Sequence, residues 1–186
     1  MTFLSRPLLG VLASIATLCL GACANESLGP GGGPSPPPPS GYQPGASQFN
    51  AHDFAWSTSP GAGAIIGSMT YHEGETRYSC AGRDVILMPE TPWSRRRMFI
   101  LYGSAVAAAL PLEIVRARTP AATSDDYATY ARKTTCDGAS HFRFAGLPDG
   151  AWFVITVARP SDAGEEPVAV MRRVETHGAP RNVVLN

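Results

Sequence analysis

Lysine is almost missing from this 186-residue chain: Lys133 is the single one, and arginine carries the rest of the positive charge. The 15 basic and 15 acidic residues cancel, so no basic footprint points to nucleic acid as a partner. Histidine is scarce too. His52, His72, His141 and His177 stand at none of the H-x-H, H-x-x-H or H-E-x-x-H spacings that hold a metal locally. No G-x-S-x-G elbow occurs, and no glycine-rich phosphate loop precedes a helix. Asp125-Asp126 is an adjacent acid pair before Tyr127, and it reads as a solvated loop. These gaps remove the local signatures of metal, serine-hydrolase and nucleotide chemistry. The expectation is a non-enzyme with no cofactor and no metal.

Long apolar runs are also missing, except at the start. Arg6 supplies a positive n-region, and Leu8 to Leu20 is apolar apart from Gly10, Ser14 and Thr17. A membrane-spanning helix needs about 20 apolar residues, so this shorter run reads as a signal-peptide core. Leu20-Gly21-Ala22-Cys23 follows it and resembles the lipobox of bacterial lipoproteins. The resemblance implies cleavage before Cys23 and acylation of its thiol. The several acyl chains of a mature lipoprotein anchor stably, where a single one does not. Ala24 rather than Asp follows the cysteine, which by resemblance to enteric sorting implies the outer membrane. The expected location is therefore the bacterial cell envelope, with the chain held by lipid on the periplasmic face of the outer membrane.

From Leu28 to Ala46 the sequence is mostly Pro, Gly and Ser, with Gly31-Gly32-Gly33 and four prolines at 36–39. Such a composition builds no core. It predicts a spacer reaching roughly 60 Å from the lipid at ~3.1 Å per residue. The organisation expected is a leader over 1–22, a lipidated Cys23 with a linker over 23–58, and one folded domain over 59–186.

Of four cysteines, Cys19 leaves with the leader and Cys23 takes the lipid. Cys80 and Cys136 remain, an even pair in an oxidising compartment, which predicts a disulfide. Two buried thiols or a redox pair are the alternatives, though no C-x-x-C spacing favours redox work.

Periodicity in the domain is mostly two, the strand signal. Strands are predicted at Ala64–Tyr71, Asp84–Met88, Tyr127–Thr135, His141–Phe144, Trp152–Val157, Val168–Val174 and Asn182–Leu185. Phe142 and Phe144 face the core and Arg143 faces water. Asp149-Gly150 predicts a hairpin turn, and Trp152–Val157 a central strand. One helix is predicted, with Thr91 as N-cap, Pro92 in the first position and Gly103 at the C-terminal cap. Trp93, Arg97, Ile100 and Leu101 should share its inner side. Ser104 to Ala109 either prolongs the helix or starts a strand.

The run Thr134-Thr135-Cys136-Asp137-Gly138, then Phe142-Arg143-Phe144-Ala145-Gly146-Leu147-Pro148-Asp149-Gly150-Ala151-Trp152-Phe153-Val154, resembles the signature of carboxypeptidase-regulatory-like domains. Gly67-Ser68-Met69-Thr70 is similar to that family's first strand, and Ala81 to Leu87 to the approach to its second. The resemblance spans some 90 residues in two blocks. It implies a mainly β fold, a seven-stranded prealbumin-like (transthyretin-like) antiparallel β-sandwich with one short inserted helix. Family members are accessory modules that pack on enzymes, bind glycans or proteins, or space domains. Residues 91–125 make a longer excursion than the family pattern.

Arg95-Arg96-Arg97 is the only charge run, and together with Trp93 it is the candidate ligand-binding site. On a helix these arginines spread over much of the circumference. Trp56 and Tyr78 are further aromatic candidates for stacking on sugar. The function expected is a membrane-anchored lipoprotein carrying a non-catalytic interaction or structural module, whose partner is an envelope protein or a cell-wall glycan. Carbohydrate or peptidoglycan binding is the second reading, and an enzyme a distant third.

Overall fold

The structure, a computed structural model, describes residues 48–120, 125–161 and 165–186. The expected leader, Cys23 and the Pro/Gly run up to residue 47 lie outside the described residues.

Alternating patterns dominate the described chain, and it folds into ten strands: β1 (Gly63–Met69), β2 (His72–Glu73), β3 (Thr76–Ser79), β4 (Asp84–Pro89), β5 (Ala107–Pro111), β6 (Arg132–Thr135), β7 (His141–Leu147), β8 (Gly150–Pro160), β9 (Val168–Thr176) and β10 (Pro180–Leu185). They form two sheets. In the smaller, β1 lies between β7 and β10, antiparallel to the first and parallel to the second. In the larger, β8 is central. β9 pairs along one of its edges, while β4 and then β3 pair along the other. β6, β5 and β2 extend this sheet outward from β4, β9 and β3. The fold is the mainly β sandwich expected, with ten strands rather than seven and one parallel pair.

Strand alternation fills the space between the sheets. Ile65, Val85, Leu87, Leu147, Trp152, Val154 and Leu185 are completely buried there, and Phe142 and Phe144 join them as predicted. Ile66 and Ile86, one residue out of phase, face outward. Burying the Trp152 indole also buries a donor, which must be satisfied. Its Nε1 donates to Thr176 Oγ1 at 3.1 Å, and that hydroxyl donates to the Pro148 carbonyl at 2.8 Å. Gly67 lies under the Phe142 ring, where a Cβ would overlap it.

β8 and β9 are buried on both faces. Phe153 and Met171 point away from the sandwich into a second core, with Met88, Met98 and Phe54. A helical layer covers that face: α1 (Pro92–Tyr102), α2 (Leu112–Ala117) and two 3-10 helices, Ala51–Thr58 and Asp125–Tyr130. The ends of α1 are those the sequence marks. Thr91 Oγ1 accepts from Ser94 N at 3.1 Å and Ser94 Oγ accepts from Thr91 N at 2.8 Å, a reciprocal capping box. Gly103 ends the helix at φ 72°, where a side chain is disfavoured.

Cys80 and Cys136 are bonded, with Cα atoms 5.7 Å apart and a sequence separation of 56. The link joins the approach to β4 to the end of β6. A loop of that length contributes about 4 kcal/mol in the chain-entropy picture.

Several expectations are corrected. Asp149-Gly150 is not a hairpin: β7 and β8 belong to different sheets, so the turn crosses the sandwich. Residues 125–130 form a 3-10 helix rather than the start of a strand, because Tyr127 and Tyr130 are drawn onto the second core. The buried side of α1 is Ser94, Met98, Leu101 and Tyr102, and Ile100 points to solvent at 51 % exposure. The excursion holds β5 and α2 after the first helix, so there is more than one inserted helix. Finally, residues 51–58, which fall within the 23–58 span given to the linker, form a 3-10 helix whose Phe54 is wholly buried.

Candidate functional site

Trp93 and Arg97 stand four apart on α1 and therefore share a side. The Arg97 guanidinium lies 5.5 Å from the Trp93 ring centre and 5.2 Å from that of Tyr127, which the second 3-10 helix supplies. The two rings are 5.2 Å apart. Behind them Phe49, Phe54 and Tyr130 continue the aromatic cluster, with Phe49 5.7 Å edge-on to Trp93. Trp93, Tyr127 and Arg97 are half-buried, so the cluster presents one edge to water. A cation over two aromatic faces is held at roughly 0.5–1 kcal/mol per contact when exposed. Such a shelf offers ring faces and a fixed donor side by side.

The other two arginines go elsewhere. Arg95 pairs with Glu90 Oε1 at 2.6 Å, and Glu90 Oε2 takes Arg173 Nε at 2.6 Å. Arg173 also reaches Glu175 at 2.7 Å, and His177 lies 3.4 Å from that carboxylate. The hydrogen bond from Arg173, with a smaller one from His177, holds the Glu175 carboxyl below its usual range. Burial alone would lower the pKa of Arg173, but its bonds to Glu175 and Glu90 outweigh that and raise it. This chain of charges is a brace between α1 and β9. Arg96 is exposed and makes no ion pair among the described residues. Of the four predicted site residues, then, the fold joins Trp93 with Arg97, diverts Arg95 into the brace and leaves Arg96 alone. Tyr127 and Glu90 are the partners sequence reasoning missed. Aromatic spacing around Trp93 carries no trace of Tyr127, which comes from 34 residues away.

Trp56 packs edge-on against Trp152 at 4.9 Å, and Tyr78 is buried beside Tyr71, so neither is a free stacking surface. Elsewhere, outward residues of the large sheet and residues of α2 line a groove of about 420 Å³. Ile86, Ile155 and Val157 are among its lining residues, together with Arg83, Arg116 and Arg159. Arg116 is paired with Glu113 at 2.6 Å.

The titratable groups shifted by the fold serve structure. Tyr102, the last residue of α1, is pushed up to about 12 by burial. Asp137 is held low by the backbone N–H of His141, with that of Ala139 assisting, and so it caps a turn. Among the described residues no three His, Cys, Asp or Glu side chains converge as metal ligands would.

No protein-family model matches the chain, and no curated protein matches it. Among solved structures it is similar to a proposed carbohydrate-binding protein from Pseudomonas aeruginosa, at 22 % identity and a TM-score of 0.53, over 74 % of this chain and 97 % of that one. It also aligns with the minor pilin GBS52 of Streptococcus agalactiae, at 18 % identity and a TM-score of 0.32, over 70 % of this chain and 44 % of the pilin. The first likeness fixes the class: this chain is a β-sandwich protein.

Proposed function

We propose that this chain is an envelope lipoprotein, acylated at Cys23, that carries a non-catalytic β-sandwich interaction module of the carboxypeptidase-regulatory-like kind. The observation that carries the proposal is the Cys80–Cys136 bond. A structural disulfide belongs to an oxidising compartment, which means export. Export gives the apolar leader its purpose, and the pairing accounts for the other two cysteines that follow it. The module reading is supported by how the charges are used: the shifted carboxylates and Arg173 brace strands and turns. The outer-membrane, periplasmic location follows from Ala24 and belongs to the same proposal.

The test is metabolic labelling with palmitate followed by membrane fractionation of wild type and Cys23→Ser. Label and membrane attachment should both disappear in the variant. A variant still labelled and still membrane-bound refutes the proposal.

Carbohydrate binding is the second reading, and a specific feature favours it. Trp93 and Tyr127 hold Arg97 at a half-exposed aromatic edge, the kind of surface on which sugar faces stack. The same sandwich also occurs in a protein proposed to bind carbohydrate. Retention on purified cell-wall glycan should fall at least tenfold for Tyr127→Ala if that edge is the site. Equal retention of wild type and variant ends this reading.

A further inference from the structure

The outward side of α1 has a use the fold does not give it. Phe99 is 62 % exposed and Ile100 51 %, and Val106, just past the C-terminal cap, is 63 % exposed. Arg96 stands three and four positions before Phe99 and Ile100, so all three share the solvent face. The opposite side holds Ser94, Met98 and Leu101 in the core, and both helix ends are capped. Phe99 and Ile100 are thus held outward by a fixed helix, and Val106 is exposed beyond its C-terminal cap. Arg118 adds a second cation at the far end, where its guanidinium donates to the Leu101 carbonyl at 3.1 Å. Glu90, the carboxylate nearest in sequence to this helix, is already taken by Arg95 and Arg173.

We infer that this face docks onto an anionic lipid membrane. Apolar side chains flanked by arginine fit the boundary between head groups and acyl chains. The path of the chain argues for a membrane over a protein. Phe49 packs edge-on against Trp93 in the first turn of α1, so the polypeptide arriving from Cys23 joins the domain beside this helix. Cys23 stands 26 residues before Phe49, a span of at most ~90 Å. A lipid on Cys23 would therefore hold the domain within that reach of a bilayer, by a chain that enters it next to α1. So few apolar side chains bind weakly by themselves. Tethering converts weak docking into a persistent contact by effective concentration. The inference rests on the lipoprotein reading for this biological setting, but the docking itself can be measured without the anchor.

The protein for that measurement is residues 23–186 with Cys23→Ser, which has neither leader nor acyl group. The whole described core lies within residues 48–186. The probe is sedimentation with vesicles of phosphatidylglycerol and phosphatidylcholine, compared with phosphatidylcholine alone. Expected is binding to the anionic vesicles at least fivefold above the neutral ones, reduced at least fivefold by Phe99→Glu with Ile100→Glu. These residues are exposed, so the double variant should keep the wild-type unfolding midpoint. A second variant, Arg96→Gln, should reduce binding without altering the apolar face. Equal binding to both vesicle types, no binding, or full binding by the double variant overturns the inference. In-cell cross-links from position 99 to a stoichiometric protein rather than to lipid overturn it as well. Mass spectrometry of the wild-type N-terminus reports acylation separately: an unmodified Cys23 with intact vesicle binding refutes the anchor and leaves the docking face standing.

Discussion

Truncating one ring, Phe54→Ala, tests where the folded domain begins. Phe54 is fully buried in the 3-10 helix ahead of the first strand, with its centroid 5.3 Å from Phe49, 5.1 Å from Tyr130 and 6.0 Å from Trp93. Removing the ring forfeits the transfer free energy of a buried aromatic, roughly 1.5–3 kcal/mol. Its aromatic pairings add about 0.5–1.5 kcal/mol each, and the vacated space cannot fully close. The total expected is ~3–5 kcal/mol, the usual range for a buried Phe→Ala. Equilibrium urea unfolding followed by tryptophan fluorescence reads it. At about 2 kcal/mol per M of urea the midpoint should fall by roughly 2 M with the slope unchanged. Limited proteolysis should then cut between residues 48 and 58 in the variant while sparing the sheets. A loss under about 1 kcal/mol would refute the reasoning and return residues 51–58 to the tether.

Further outcomes follow from the cores and the buried groups. Phe144→Ala should cost ~3–5 kcal/mol while Arg143→Ala costs under about 0.5, since the first is buried and the second exposed; similar losses would overturn the register of β7. Reducing the Cys80–Cys136 bond, or making both residues Ser, should lower stability by about 4 kcal/mol in calorimetry; an unchanged melting temperature would contradict the assigned link. For Tyr102, burial raises the folded pKa from 10 to about 12. Its contribution is whole below pH 10 and is lost as pH rises toward 12, because only the unfolded chain ionises readily. Unfolding midpoints should drop between pH 10 and 11 for wild type and stay flatter for Tyr102→Phe; parallel curves would show that the hydroxyl is not buried. Gly67→Val should destabilise by more than 2 kcal/mol through overlap with the Phe142 ring, and an unaffected midpoint would show that the sheets separate freely there.

Local chemistry was legible wherever a residue's role depends on its chain neighbours. The capping pair Thr91 and Gly103 marked α1 at both ends, since a cap answers to backbone groups within four residues. Alternation in 141–144 set the faces of Phe142, Arg143 and Phe144, because strand side chains point to opposite sides in turn. Cys80 and Cys136 could be paired by counting, and the lipobox reading at Cys23 needs no fold at all. Partners distant in sequence were not legible. Whether Asp149-Gly150 turns back along one sheet or crosses to the other depends on which strands later pair, and β8 pairs with β9 and β4 instead of β7. Tyr127 reads as a strand residue until the second core draws it onto Trp93 and Arg97. Ile100 reads as a core residue by helical spacing, yet the sheet beneath α1 meets a side turned toward Met98 and Leu101, leaving Ile100 in water. By itself the sequence determined the longer strands, the caps of α1 and the mainly β class, which short-range backbone chemistry and periodicity encode. Only the tertiary structure decided which arginine is a brace, which is stacked and which is free, because that depends on charges and rings brought together from remote parts of the chain.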